Sequence, residues 1–162
     1  MVRQTGAFAT AALLGVLAIG VRGQTAVRVD FPEGYRTWTH TKSMVVQDGH
    51  FLYKEFGGIH HIYANGKALA ALQANATFPD GSVFVLDVLA ARADANALLE
   101  GARSLRAVMH KDGKRFAKTG GWGYEVFKGE ARQGTVSDGG TRCHGCHTSR
   151  RSHDCVLHDW RP

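Results

Sequence analysis

Cys143, His144, Gly145, Cys146 and His147 form a C-x-x-C-H array that ends 15 residues before the chain does. Two thiols at this spacing can each add across a haem vinyl group, and the histidine that follows can reach the iron as an axial ligand. The array therefore reads as covalent attachment of one c-type haem, with His147 on the metal. Other chemistry is open to the same residues. Cys143, Cys146, His147, His153, Cys155 and His158 crowd the tail, and four of them could close a tetrahedral zinc site. The spacing fits that poorly, because the partner pair of a zinc C-x-x-C normally follows about 12 to 20 residues later. Here every candidate falls within 12 residues of Cys146. A thioredoxin-like redox pair would open a helix after a strand, whereas a polar, glycine-rich loop, Gly134 to Gly140, precedes this array. Haem accounts for the C-x-x-C spacing and for His147 together.

The other end of the chain bears on the same choice. Arg3 is followed by an apolar run from Ala7 to Val21, and Val21-Arg22-Gly23 precedes the expected cut before Gln24. This is the pattern of a secretory signal peptide over residues 1–23, with a periplasmic destination for residues 24–162. An uncleaved anchor is the competing reading, but the run is shorter than the roughly 20 apolar residues of a spanning helix. No membrane span is expected after cleavage. In an oxidising compartment a C-x-x-C pair becomes a disulfide, a metal site or a haem tether.

Charge narrows the partners. The 162 residues carry a formal charge of +6, and loss of Arg3 and Arg22 with the leader lowers it to +4. No Lys/Arg run is interleaved with aromatics, and haem propionates would offset part of the excess, so no nucleic-acid partner is indicated.

The elements that must position the array read as strand-rich. Trp38 to Val46, Ile59 to Ala64 and Ser82 to Leu89 have extended character, the last after the turn signal Pro79-Asp80-Gly81. Ser104 to Lys111 and Trp122 to Lys128 add two more strands. Gly66 to Ala76 places Ala68, Leu69, Ala71 and Leu72 on one side and predicts a helix, and a shorter helix is expected around Ala93 to Leu99. The expected class is α+β: a mainly antiparallel sheet, one or two short helices, and a C-terminal haem-binding segment in a single domain. Helical electron carriers take a methionine ligand from downstream of the motif, and no methionine follows His147. Four-helix haem bundles need long helices of period 3.6, which are absent here.

Several further segments together resemble the cytochromes P-460 and their relatives, the cytochromes c′-beta. They are Phe31-Pro32-Glu33-Gly34-Tyr35-Arg36-Thr37-Trp38, Ile62-Tyr63-Ala64-Asn65, Phe78-Pro79-Asp80-Gly81-Ser82, Lys114-Arg115-Phe116, Gly120-Gly121-Trp122-Gly123-Tyr124 and the terminal motif. The resemblance runs from Phe31 to Pro162. It implies an exported β domain, usually a homodimer, with one c-type haem, a histidine below the iron and an open or apolar-capped site above. Members that oxidise hydroxylamine have a lysine on the strand after the turn, cross-linked to the haem. The matching position here is Leu86, which has no nucleophilic nitrogen. An arginine of those oxidisers matches His60. The resemblance thus points to the c′-beta branch, associated with binding nitric oxide and carbon monoxide.

Alternation along a strand puts Phe84, Leu86 and Val88 on one face, so a distal wall made of Leu86 would include Phe84. Such a wall excludes water and anions and admits uncharged diatomics. Both residues read equally well as ordinary core. His60 and His61 are adjacent, so at most one faces the pocket, and His60 matches the family position. It could assist a bound ligand, ligate the iron, or simply bond to backbone. Arg142, Arg150 and Arg151 are candidate propionate partners, and Arg115 a candidate for the haem or the dimer interface. Trp122, Tyr124 and Trp160 read as packing, and Cys155 as a buried thiol, with an intermolecular disulfide the alternative. The expected function is a gas-binding monohaem cytochrome with no catalytic residue assigned. A hydroxylamine or nitric oxide oxidoreductase and a simple electron carrier with a redox partner protein are the alternatives.

Overall fold

The structure, a computed structural model, describes Met1 and residues 27–162. The expected signal peptide lies outside the described residues apart from Met1. Five strands form one sheet in which every neighbour is antiparallel and spatial order follows chain order. They are β1 (Thr39–Val46), β2 (Gly58–Ala64), β3 (Val83–Asp94), β4 (Ala97–Lys111) and β5 (Trp122–Lys128). Three short helices accompany them: α1 (Tyr53–Phe56), α2 (Gly66–Gln73) and α3 (Thr141–His147). The fold is α+β, as expected from the strand-rich pattern. Among the described residues no helix is long and apolar enough to cross a membrane.

The helix expected around Ala93 to Leu99 is instead the tip of a β-hairpin. Asp94 pairs with Ala97 across the turn residues Ala95 and Asn96, which have φ of 46° and 63°. Two successive positive φ values give a turn whose twist matches that of the flanking strands. Alanine's helix propensity is a weak preference, and the ladder to a long partner strand overrides it. The expected strands at Ser82 to Leu89 and Ser104 to Lys111 therefore join into one ribbon that projects past the sheet, with Ala90 to Glu100 exposed throughout. The ribbon carries Leu98 and Leu99 into solvent, 48% and 39% exposed.

Each sheet face has its own cover. Residues directly opposite in an antiparallel ladder share a face, so registry sorts them. Ala64, Phe84, Met109 and Tyr124 form one row across four strands, Ile62, Leu86, Ala107 and Val126 the next, and His60, Val88 and Leu105 a third. This first face is packed by α2 through Ala68, Ala71 and Leu72, by Phe78, and by Cys155 and Val156 from the tail. Asn65 anchors α2 to the sheet. Its Oδ1 accepts the N–H groups of Ala68, 3.0 Å, and Val83, 3.1 Å, while Nδ2 donates to Gly81, 2.9 Å. One side chain thus caps the helix and fixes where β3 begins.

Val85, Val108 and Phe127 point to the second face, which the N-terminal segment covers with Val29 and Tyr35, joined by Phe116. Gly123 permits that close approach, since a Cβ there would collide with Phe116 and Val29. Asp87 is buried on this face. It accepts hydrogen bonds from Tyr35 Oη at 2.8 Å, Arg36 Nη1 at 3.2 Å and Arg103 Nε and Nη2 at 2.6 and 3.2 Å. Burial alone would raise the Asp87 pKa, but the bonds from Arg103 and Tyr35 and the nearby positive charge outweigh it and hold the carboxyl below its ordinary value. Burial and Asp87 together push the Tyr35 phenol up to about 12, so it stays a donor.

Candidate functional site

The C-x-x-C-H array lies in α3, behind the expected loop. Asp138 starts this helix by accepting the N–H groups of Gly140 and Arg142, at 3.0 and 3.1 Å, two donors that a helix start leaves unpaired. The same bonds hold the Asp138 carboxyl below its usual pKa. Gly140 enters the helix with φ of 83°, and a Cβ there would stand 3.0 Å from the Tyr124 side chain. Glycine is thus what lets α3 begin against β5.

Within one short helix, residues three apart share a side, so Cys143 and Cys146 are presented together. All three cysteines are unpaired: Cys143 is half-buried, Cys146 exposed and Cys155 buried. His147 packs against the Tyr124 ring at 5.1 Å between centroids. Its Nδ1 lies 2.8 Å from the Cys155 carbonyl oxygen. A carbonyl only accepts, so Nδ1 carries the proton and Nε2 is left with its lone pair. Burial lowers the His147 pKa and keeps the ring neutral. A neutral imidazole with one nitrogen held by a carbonyl and the other free is the form that ligates iron. The donor set therefore fits the haem that the motif implies: Cys143 and Cys146 would tether it and His147 would hold the iron.

The same face offers an apolar shelf beside the motif. Ile62, Leu86, Ala107 and Val126 are each half-buried, in the row next to the one that carries Tyr124. A flat apolar group could lie on such a surface. Phe84 is more enclosed, at 3% exposure, with Phe78 at 5.3 Å and His158 at 5.4 Å. It is a core residue that backs the shelf. His60 shares the Leu86 face and His61 points away, as alternation requires. His60 is buried and its Nε2 donates to the Phe56 carbonyl at 2.5 Å, while burial keeps it neutral. In this arrangement only its Nδ1 is free, and as an acceptor.

The remaining candidates disperse. Arg150 pairs with Asp159, Arg142 leans toward Asp138, and Arg115 donates to the Arg28 carbonyl beside the N-terminal segment, away from α3. Trp122 and Tyr124 are buried in the core of the first face, with Trp160 packed against it. His158 is buried and pushed down to about 4 by desolvation, with Nε2 3.1 Å from Thr41 Oγ1. Two contributions escaped sequence reasoning, the Cys155 carbonyl and the Asp138 cap. The first leaves no signal, because every residue has a carbonyl. The second was readable as an acidic residue three before the helix.

The sequence model of the family Cytochrome P460 matches residues 32–158, which include the whole sheet and the motif. The chain belongs to the Cytochrome P460 family. Among curated proteins, none matches it significantly. Membership makes this a haem cytochrome and gives physical sense to the segments on which the resemblance rested. Asn65 is the cap that joins α2 to β3, Gly123 is the close approach on the second face, and Trp122 and Tyr124 are the floor beneath α3.

Proposed function

We propose that this cytochrome is an exported protein, residues 24–162, that carries one haem c bound through Cys143 and Cys146 and binds a small gas such as nitric oxide at a five-coordinate iron. The observation that carries the proposal is the His147 ring: Nδ1 is committed to the Cys155 carbonyl and Nε2 is free to be the single protein ligand. The haem supplies an iron with one open position. Leu86, at the place of the oxidisers' cross-linking lysine, gives that position an apolar wall, with Phe84 packed behind. An apolar wall cannot stabilise a bound anion or hold water, which favours an uncharged diatomic. His60, with its Nε2–H spent on Phe56, supplies no hydrogen bond to the ligand.

Ferrous spectra with and without nitric oxide test this. The expected result is a high-spin spectrum converted by stoichiometric gas. A low-spin, six-coordinate ferrous spectrum unchanged by nitric oxide would refute it. The oxidoreductase reading instead requires steady-state turnover of hydroxylamine with an electron acceptor, and electron transfer requires ligation that is the same in both oxidation states.

The exposed ribbon supports a homodimer of the kind that the family resemblance implies. Leu98, Leu99, Val45 and Tyr53 are each 39% to 48% exposed around one end of the sheet. An open cleft of about 510 Å³ lined by Val45, Tyr53 and Leu98 lies among them. Apolar side chains gathered this way mark contact surfaces. Replacing Leu98 and Leu99 together by aspartate is expected to halve the mass measured by light scattering, and a protein already monomeric before substitution would dismiss the dimer.

A further inference from the structure

The tail turns from α3 back to the sheet through Asp154 and Cys155, with φ of 47° and 65°. Both are in the left-handed region, where a side chain crowds its own backbone, and neither is glycine. Such a turn persists only where its surroundings hold it. Here the hold is dense. The Asp154 carboxylate accepts from Lys111 Nζ at 2.7 and 2.9 Å and from the Phe78 N–H at 3.1 Å. The Asp154 carbonyl accepts from Trp122 Nε1 at 2.8 Å. Lys111 is itself buried, donates also to Gly120 at 3.1 Å, and lies 4.9 Å over the Trp122 ring. It is registered with Trp122 at one end of the row pair that supports α3. The carbonyl that follows this pinned turn is the one on His147 Nδ1.

We propose that the Lys111–Asp154 ion pair is a clamp that holds the Cys155 carbonyl on His147 and so sets the strength of that imidazole as an iron ligand. The proposal rests on the reading of His147 as proximal ligand. The physical link is short. A carbonyl accepting the Nδ1 proton increases the electron density at Nε2, and a more basic imidazole binds iron more strongly and favours the oxidised metal. The carbonyl's aim depends on two strained residues, and the strain is borne by a half-buried, multiply bonded carboxylate. Lys111 and Asp154 are positioning residues, acting through Cys155 and touching neither ligand nor iron.

The test uses the holoprotein, with the ferrous iron–histidine stretching band and the reduction potential as readouts. Asp154→Ala is expected to move the band to lower frequency and the potential upward. Asp154→Gly should lie nearer the wild type, because glycine adopts the left-handed turn without an anchor. Lys111→Arg should keep the wild-type band. Lys111→Met, which leaves Phe78 and Trp122 bonded to Asp154, gives the same readout should the alanine variant fail to fold, and is expected to shift it in the same direction. Lower thermal stability in Lys111→Met with band and potential unmoved would overturn the clamp and leave an ordinary structural ion pair. His147→Gly separates the two levels. A band that survives this change would overturn the ligation reading and the clamp together, whereas a band lost there but unmoved in Lys111→Met overturns the clamp alone.

Discussion

Replacing Cys143 and Cys146 together by serine should abolish covalent haem attachment. Serine hydroxyls do not add to vinyl groups, and no other thiol can substitute, since Cys155 is 5% exposed and faces the core under the tail. A pyridine haemochrome assay on acid–acetone-extracted protein is expected to fall from one haem per chain to none. Each single variant should retain a haem held by one thioether, visible as a red-shifted haemochrome band. Extraction-resistant haem in the double variant would place the tether elsewhere. His147→Gly with both cysteines intact is the complementary case: the haem stays on the chain but the iron loses its protein ligand.

The second large effect is on stability and lies on the opposite face. Asp87 is fully enclosed and receives four hydrogen bonds from three residues. Removing one member of a buried ion pair leaves the other charge uncompensated and costs about 3 to 5 kcal/mol. For a chain of this size that corresponds to a melting temperature roughly 10 to 15 °C lower. Asp87→Ala is expected to show that loss at neutral pH, measured by circular dichroism. The pH dependence has a definite sign. The Asp87 pKa is depressed in the folded state, so its contribution is fully present above the ordinary carboxylate value and is lost as pH falls through the folded value, below about pH 4. The variant should therefore have a flatter acid limb than the wild type. Equal acid unfolding curves would show that Asp87 does not carry this linkage. Because Asp87 faces away from α3, the ferrous spectrum of the folded variant should be unchanged.

Comparing these two sites shows what could be read from residues. The proposed roles of Cys143, Cys146 and His147 rest on side-chain chemistry at fixed spacing, and spacing is local, so the motif was legible without a fold. The strands were legible for the same reason: alternation and turn residues mark β2, the core of β3, and β5 nearly to the residue. Asp87 was not legible. On β3 it is one acidic residue in an apolar run, and its partners Tyr35 and Arg103 are 52 and 16 positions away. The hairpin tip misled because Ala93 to Leu99 has helical composition, and only pairing between distant parts of β3 and β4 makes it extended.

The C-x-x-C-H motif, the strand-rich class and the family could be read from the sequence, each written in neighbouring residues. The tertiary structure alone decided which nitrogen of His147 is free. That depends on a backbone carbonyl eight residues on, aimed by a turn that Lys111 and Trp122 hold from the sheet. Carbonyls are common to all residues, so sequence cannot single one out. It takes the packing of the tail against the first face to give one of them a direction.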